Sequence, residues 1–474
     1  MNSGIGARLL ENKAIYWFFK SKTMKKRSQS IVNEIKENIA LSIPLTSSQM
    51  IYAFSGFLGT AMVAHLGQDA LAASVLVSMI WLTLSVFFFG ILNSVSVLVS
   101  HQFGAKNYHR IGEIMGQAYL LGIVIGALII LVLCSMPLFL HWSEQPQTVL
   151  TIAYQYMRAI LWTIPGLVVL IITEQFLAGV NHARLVLRVS LLIVPVEIVL
   201  VYLLIFGKFG LPAFGVAGVG YGYAITYTIT AILLILYLTQ AKPFRSFRLF
   251  SSITTFKSDD FFELIRLGLP LGFMYLIEVS TFAVMTFWIG RFGTTILAAH
   301  QIVMQYLGFI VTLVFAMSQA VTIRVSHAIG GNDMQGIKSA VYIGMLLNFA
   351  CIFLIAIGFT CVPAFFLTVD IDVHAPQNQA LVRDASSLLF IAGILLIFDN
   401  FRIVGFGALR GLKDTTFSMY TSLIAFWLIG LTCSYLFAFN LDWQGHGIWW
   451  GLTIGIASGA FIIFLRLQYL LARF

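Results

Sequence analysis

Three carboxylates stand where this chain gives least reason for them. Glu197, Glu278 and Asp399 each lie deep inside a long apolar run. Glu278 follows Arg266 by 12 residues and precedes Arg291 by 13; Asp399 follows Asp384 by 15 and precedes Arg410 by 11; Glu197 follows Arg188 by 9 and precedes Lys208 by 11. A charge at the centre of a membrane-spanning helix costs about 2.5–3.5 kcal/mol on insertion scales, so a chain that keeps three has a use for them. Two chemistries suit such groups. Burial disfavours the ionised form of a carboxyl, which can then accept a proton from one side and release it to the other. Alternatively, carboxylates supply some of the several oxygen ligands that a hard cation such as Na⁺ needs. Both chemistries describe a cation pathway. Arg402, three residues after Asp399, is spaced to pair with it across one helical turn. Glu174, near the end of its run, reads as an interfacial or structural charge.

The elements that carry these groups follow from composition. The 474 residues are 59% hydrophobic and 10% charged, with a mean hydropathy of +0.93. A soluble domain carries about 25% charged residues, so ordinary solubility is excluded. One crossing takes about 20 apolar residues. The runs accommodate twelve helices, at roughly 38–66, 71–101, 113–140, 150–178, 185–206, 216–240, 261–290, 296–326, 337–368, 385–410, 415–438 and 446–470. Polar breaks separate them at 105–110, 142–147, 181–184 and 330–335. The runs are too long for barrel strands, and no length is left for a separate soluble catalytic domain. The expected fold is an all-α integral membrane protein.

Charge placement orients it. With the N-terminus inside, 23 of the 28 Lys and Arg residues fall on one face, leaving Lys208, Arg291 and Arg383 opposite and Arg158 and Arg402 within spans. Basic residues collect on the cytoplasmic side, so both termini are expected in the cytoplasm. This bias accounts for the net charge of +9 without a nucleic-acid partner. Residues 1–37 read as a basic cytoplasmic tail, 38–240 as a first six-helix bundle, 241–260 as a basic linker and 261–474 as a second bundle. The tail lacks the apolar core of a cleavable signal. The four cysteines have no CxxC spacing and read as small buried hydrophobes, with no metal centre. A shift of 226 positions superposes the halves: Pro44 on Pro270, Gly67 on Gly293, Leu71-Ala72-Ala73 on Leu297-Ala298-Ala299, Ser100-His101 on Ser326-His327 and Gly104 on Gly330. Six helices per half make the repeats parallel, related by an axis along the membrane normal. His101 and His327, at equivalent helix ends, read as solvated.

Two six-helix halves, the basic linker and Gly407-Ala408-Leu409-Arg410-Gly411-Leu412-Lys413-Asp414-Thr415 together resemble the multidrug and toxic compound extrusion (MATE) family, in its NorM-like bacterial branch. Leu269-Pro270 leading to Glu278, Ala299-His300-Gln301, Gly207-Lys208-Phe209-Gly210 and Gly447-Ile448-Trp449-Trp450-Gly451 carry the same likeness. The resemblance extends from about 38 to 470 and implies the MATE fold, a V-shaped pair of bundles that exports organic cations by alternating access against inflowing H⁺ or Na⁺. It places cation coupling at Glu278 and Asp399, which would also be the Na⁺ ligands, with further substrate or cation contacts at Phe282 and Gln301. The pattern departs at Leu395, where a Tyr is usual, at Gly59, where many members carry Asp, and at Glu197 and Val201, where an Asn and a polar residue are usual. The first-half site is therefore lost or rebuilt around Glu197.

Arg410 and Asp414 are expected to cap and pair at a cytoplasmic helix junction that helps close a gate, with Arg402 a further structural or gating charge. The expected protein is a monomer in the bacterial cytoplasmic (inner) membrane, in contact with lipid and small organic cations, with no cofactor besides its coupling ion. The nearest rival is a lipid-linked oligosaccharide flippase of related plan, which would need basic cavity residues for pyrophosphate. A passive channel is a further alternative. An intramembrane enzyme is disfavoured, since neither HExxH nor GxSxG occurs.

Overall fold

Continuous apolar sequence interrupted by Gly, Asn and charged breaks can satisfy its backbone within a bilayer only as helices or closed barrels, and here it forms helices. The computed structural model describes the backbone of residues 3–141, 145–250 and 255–473, and the side chains of that set outside residues 3–30, 139 and 141. The basic side chains as far as Arg27, positions 142–144 of the polar break and positions 251–254 of the linker lie outside the described residues.

The helices are α1 (Ser3–Ala64), α2 (Gln68–Gly104), α3 (Tyr108–His141), α4 (Gln147–Leu161 and Thr163–Gly179, bent by 46°), α5 (Ala183–Phe206), α6 (Ala217–Gln240), α7 (Ser258–Ile289), α8 (Thr294–Gly330), α9 (Met334–Cys361), α10 (Gln379–Gly411), α11 (Thr415–Asn440) and α12 (Gln444–Leu471). Among the described residues ten are long and apolar enough to span a bilayer, and bent α4 makes an eleventh. The twelfth, α1, crosses 37/38 without a break and packs against α5 and α8. Its inner stretch is speckled with Ser47, Ser48, Gln49, Tyr52 and Ser55, which is why it is the least apolar of the set. No strand occurs among the described residues. Many buried hydroxyls turn back onto their own helices, as Thr226 does to the Gly222 carbonyl at 2.9 Å. They therefore cost little in lipid.

Apolar side chains gather into two main cores. One is built almost wholly from α1–α6 and the linker, the other from α7–α12. The repeat is visible in how they meet, since α1 packs on α8 and α2 on α7, an exchange of equivalent partners. Small residues allow the close approach. A Cβ on Gly90 would lie 2.7 Å from the Gly272 Cα. At the end carrying the Lys/Arg-rich connections, hereafter the basic end, a Cβ on Gly104 would collide with the His327 carbonyl, and one on Gly330 with the His101 carbonyl. Much of α11 is wound as a π-helix, Leu423–Leu431 and Leu436–Asn440, a winding common near functional sites.

Gly90→Ala or Gly272→Ala should overpack the α2–α7 contact and cost about 1–3 kcal/mol. Gly56, also inside a helix, has nothing within 4 Å of an added Cβ, so Gly56→Ala should leave stability unchanged or slightly raised. Thermal unfolding of the purified protein in detergent checks both; equal effects at the three positions would contradict the packing assignment.

Candidate functional site

The second bundle holds a buried charge cluster. Arg402 on α10 is 1% exposed, and its guanidinium lies between Glu278 on α7 and Asp399 one turn back on α10. Nη1 donates to Glu278 Oε1 at 2.5 Å, and Nε donates to Asp399 Oδ1 at 2.7 Å. The guanidinium carbon sits 4.7 Å from the ring centre of Phe426 and 5.1 Å from that of Phe406. Phe426 belongs to the π-helical part of α11 and also meets Phe282 edge-on, 6.4 Å between centroids. The expected Asp399–Arg402 pairing is present. Its extension to Glu278, 124 residues away, is not readable from spacing. Two carboxyl groups thus meet one permanent cation, so the cluster holds one more potential negative charge than positive. Phe282 thus touches the cluster through Phe426, whereas Gln301 is exposed on α8 and is not among the side chains meeting Glu278 or Arg402.

The first bundle solves the same problem with hydroxyls. Ser55 on α1 donates to Glu197 Oε1 in a short hydrogen bond, and Tyr227 on α6 stands beside that carboxyl. One turn along α1, Tyr52 donates to Glu174 Oε1 at 2.8 Å. Glu174 is therefore a half-buried helix–helix link. Gly59, on the same helix, faces the Tyr223 hydroxyl, 3.1 Å from where a Cβ would be. Glu197 remains separate from the second-bundle cluster, each carboxyl bonding within its own half.

A cavity of about 290 Å³ lies between the bundles, and a second of about 330 Å³ adjoins it within the first bundle. They share Gln49, Val86 and Phe89. One continues towards Tyr275, Phe315 and Arg410, the other towards Trp81, Tyr156, Tyr223 and Tyr227.

Polar bonds between the halves, among the described residues, sit at the basic end or in the half nearest it. His101 Nε2 lies 2.9 Å from the Gly411 carbonyl, and His327 Nε2 lies 2.7 Å from the Gly179 carbonyl. These are one latch repeated by the pseudo-twofold axis, so the two histidines are cross-bundle contacts and not solvated ends. The superposition of His101 on His327 was the available signal. Gln319 donates to Gln175 at 2.8 Å. Arg324 pairs with Glu34 at 2.7 Å, Arg110 with Asp260 at 2.6 Å, and Lys257 with Glu113. Asp414 does not pair with Arg410: it binds Arg466 at 2.8 Å, while Arg410 reaches Tyr275 Oη at 3.2 Å. Asp414 precedes the next helix without a side-chain capping bond. The bundles are thus closed at the basic end, beneath the cavity that lies between them.

Comparison with known proteins matches this arrangement. A family model described as MatE covers residues 44–203 and 270–436, two segments whose starts repeat the 226-residue shift. The chain is 31% identical over 449 residues to a probable multidrug resistance protein NorM of Pseudomonas aeruginosa, covering 94% of this chain and 91% of that one. It is 30% identical to the NorM of Bacillus anthracis, covering 93% and 97%. Among solved structures, an outward-facing multidrug resistance MATE family transporter of the MOP superfamily aligns with a TM-score of 0.85 at 16% identity, over 93% of this chain and 96% of that one. The Vibrio cholerae MATE transporter VcmN in its bent form aligns with a TM-score of 0.83 at 17% identity, over 94% and 98%.

Removing one partner of a buried ion pair strands the other and costs about 3–5 kcal/mol. Arg402→Met should therefore lower the thermal midpoint sharply, and adding Glu278→Gln to it should restore part of the loss. A double variant no more stable than the single would show that the two side chains are not coupled. His101→Ala and His327→Ala should each cost about 0.5–1.5 kcal/mol in the same assay, with near-equal effects as their symmetry requires.

Proposed function

The chain belongs to the MatE family, and from that premise we propose that it is a proton-coupled antiporter exporting flat, lipophilic organic cations by alternating access. One observation carries the choice of ion: the Arg402 guanidinium already fills the space between Glu278 and Asp399. Na⁺ would need several oxygens converging on that space, as hard cations do. A proton needs one carboxyl oxygen. Leu395, where the resemblance calls for a Tyr, withholds a further oxygen ligand. The relatives are named as multidrug resistance proteins, and that naming favours drug export over the flippase reading.

In the proposed cycle the basic end faces the cytoplasm, as the Lys/Arg bias requires, and both termini lie there. The membrane in this reading is the cytoplasmic membrane of a bacterium, since the relatives come from bacteria. The conformation closed at the basic end is then the outward-facing one. A proton entering from outside neutralises the spare charge on Glu278, Arg402 and Asp399. With that bond weakened, α7 and α10 can shift against each other and drug leaves the cavity. The bundles rock, the basic-end bonds open, the proton leaves inside and drug reloads. Coupling requires proton and drug to favour opposite states. The Glu197 group on α1 and α5 supplies a second, first-bundle site for cation or proton. The proposed cycle takes the transporter as a monomer.

Proteoliposomes loaded with a fluorescent lipophilic cation test this under separately imposed pH and Na⁺ gradients. A pH gradient should drive export, a Na⁺ gradient should not, and Glu278→Gln should lose at least about tenfold of the driven rate, a barrier change of about 1.4 kcal/mol or more. Na⁺-driven transport would overturn the choice of ion. Full export by Glu278→Gln would remove its central residue.

A further inference from the structure

Arg410 is a buried charged residue that the mechanism above does not use. It stands one residue from the end of α10 at the basic end, where a long cation ordinarily extends outward to water. Instead it is only 4% exposed and lines the 290 Å³ cavity between the bundles. Side chains on a helix tilt towards its N-terminus, which on α10 is the end away from the basic connections, so the direction is inward. Its bonds are few and long: Tyr275 Oη at 3.2 Å, and Ser318 Oγ at 3.5 Å, the outer limit of a hydrogen bond. Nε has no partner, and among the described residues no carboxylate lies within ion-pair distance. A guanidinium offers five donors in a fixed fork. Here the side chain shares the cavity lining with Phe89 and Phe315 and with the amides of Gln49 and Gln319. A buried cation without a counter-charge is costly, and a carboxylate accepting two of those donors would remove the cost.

The adjoining cavity has the opposite character. It is walled by Trp81, Tyr156, Tyr223 and Tyr227, whose electron-rich faces attract cations. Tyr223 and Tyr227 stack at 5.7 Å, and Glu197 stands beside Tyr227. Both cavities share Gln49, Val86 and Phe89, so one molecule can occupy the pair. We propose that Arg410 is an anion subsite of the substrate cavity and that this chain prefers zwitterionic aromatic substrates, with a carboxylate on Arg410 and a cationic end among the tyrosines. The assignment rests on the transporter reading and narrows its substrate class.

The test uses a matched pair of dyes: rhodamine B, a zwitterion with one carboxylate, and its ethyl ester, a plain cation. Binding to the purified full chain in detergent is followed by fluorescence polarisation, and export is followed in proteoliposomes. The unaltered protein should bind the acid about tenfold more tightly than the ester, the scale of one charge-assisted contact. Arg410→Gln should abolish that ratio, and Arg410→Lys, which keeps the charge without the fork, should retain part of it. The ratio is insensitive to a general loss of folding or gating, which would weaken both dyes alike. Benzoate should displace rhodamine B, and chloride at equal concentration should not. Equal affinities in the unaltered protein, a ratio surviving Arg410→Gln, or displacement by chloride would each overturn the carboxylate subsite while leaving the antiporter reading standing. Absence of export of either dye by folded protein would instead sink the antiporter reading and this inference with it.

Discussion

The second bundle is organised around one constraint: a guanidinium with almost no access to water has to be neutralised where it lies. Arg402 meets that requirement by drawing carboxylates from two helices and rings from two more positions. Transferring such charges out of water costs several kcal/mol each. The cluster therefore cannot be a simple source of stability, and an apolar trio of similar volume would serve packing as well. What an apolar trio could not do is carry one negative charge too many. The π-helical winding of α11 belongs to the same constraint, because Phe426 on it is one of the two rings laid against the guanidinium.

The repeat makes the contrast between halves informative. The backbones are related so closely that the latch formed by His101 and Gly411 is repeated by His327 and Gly179. The charges are not repeated. Where the second half pairs Glu278 with an arginine, the first half gives Glu197 the Ser55 hydroxyl and Tyr227 as a neighbour, and one turn along α1 gives Glu174 the Tyr52 hydroxyl. Hydroxyls can bond either a carboxylate or a carboxylic acid, whereas an arginine discriminates strongly for the anion. The two halves are thus tuned differently on one scaffold.

Helix count, parallel repeat and the buried acidic positions were legible in sequence because each depends on local quantities: run length, spacing from flanking charges, and a constant shift. The Asp399–Arg402 bond was legible for the same reason, since three residues on a helix make one turn. Glu278 joining Arg402 was not, because the register of α7 against α10 is decided by packing across 124 residues of chain. The histidines were misread as solvated because a helix end looks exposed until the opposite bundle is in place. Arg410 and Asp414 were expected to share a junction, but the inward tilt of one and the approach of Arg466 to the other separate them. Gln301 shows the limit of motif transfer: its place in a matching triplet says nothing about which face of α8 it occupies.

Closure at the basic end has to be firm and yet reversible, and the distribution of polar contacts shows how both are met. The ion pairs join the partly exposed cations Arg110, Lys257 and Arg324 to carboxylates that the closed state largely buries, Asp260 at 2%, Glu34 at 8% and Glu113 at 12% exposed, and water can replace each cation when the bundles part. The histidine–carbonyl bonds and the Gln319–Gln175 bond are equally replaceable. The costly buried cluster lies within one bundle, not across the interface. Rocking the bundles therefore never strands Arg402. It exchanges cross-bundle bonds for hydration, and each tenfold difference in proton or substrate affinity between the two states biases that exchange by about 1.4 kcal/mol.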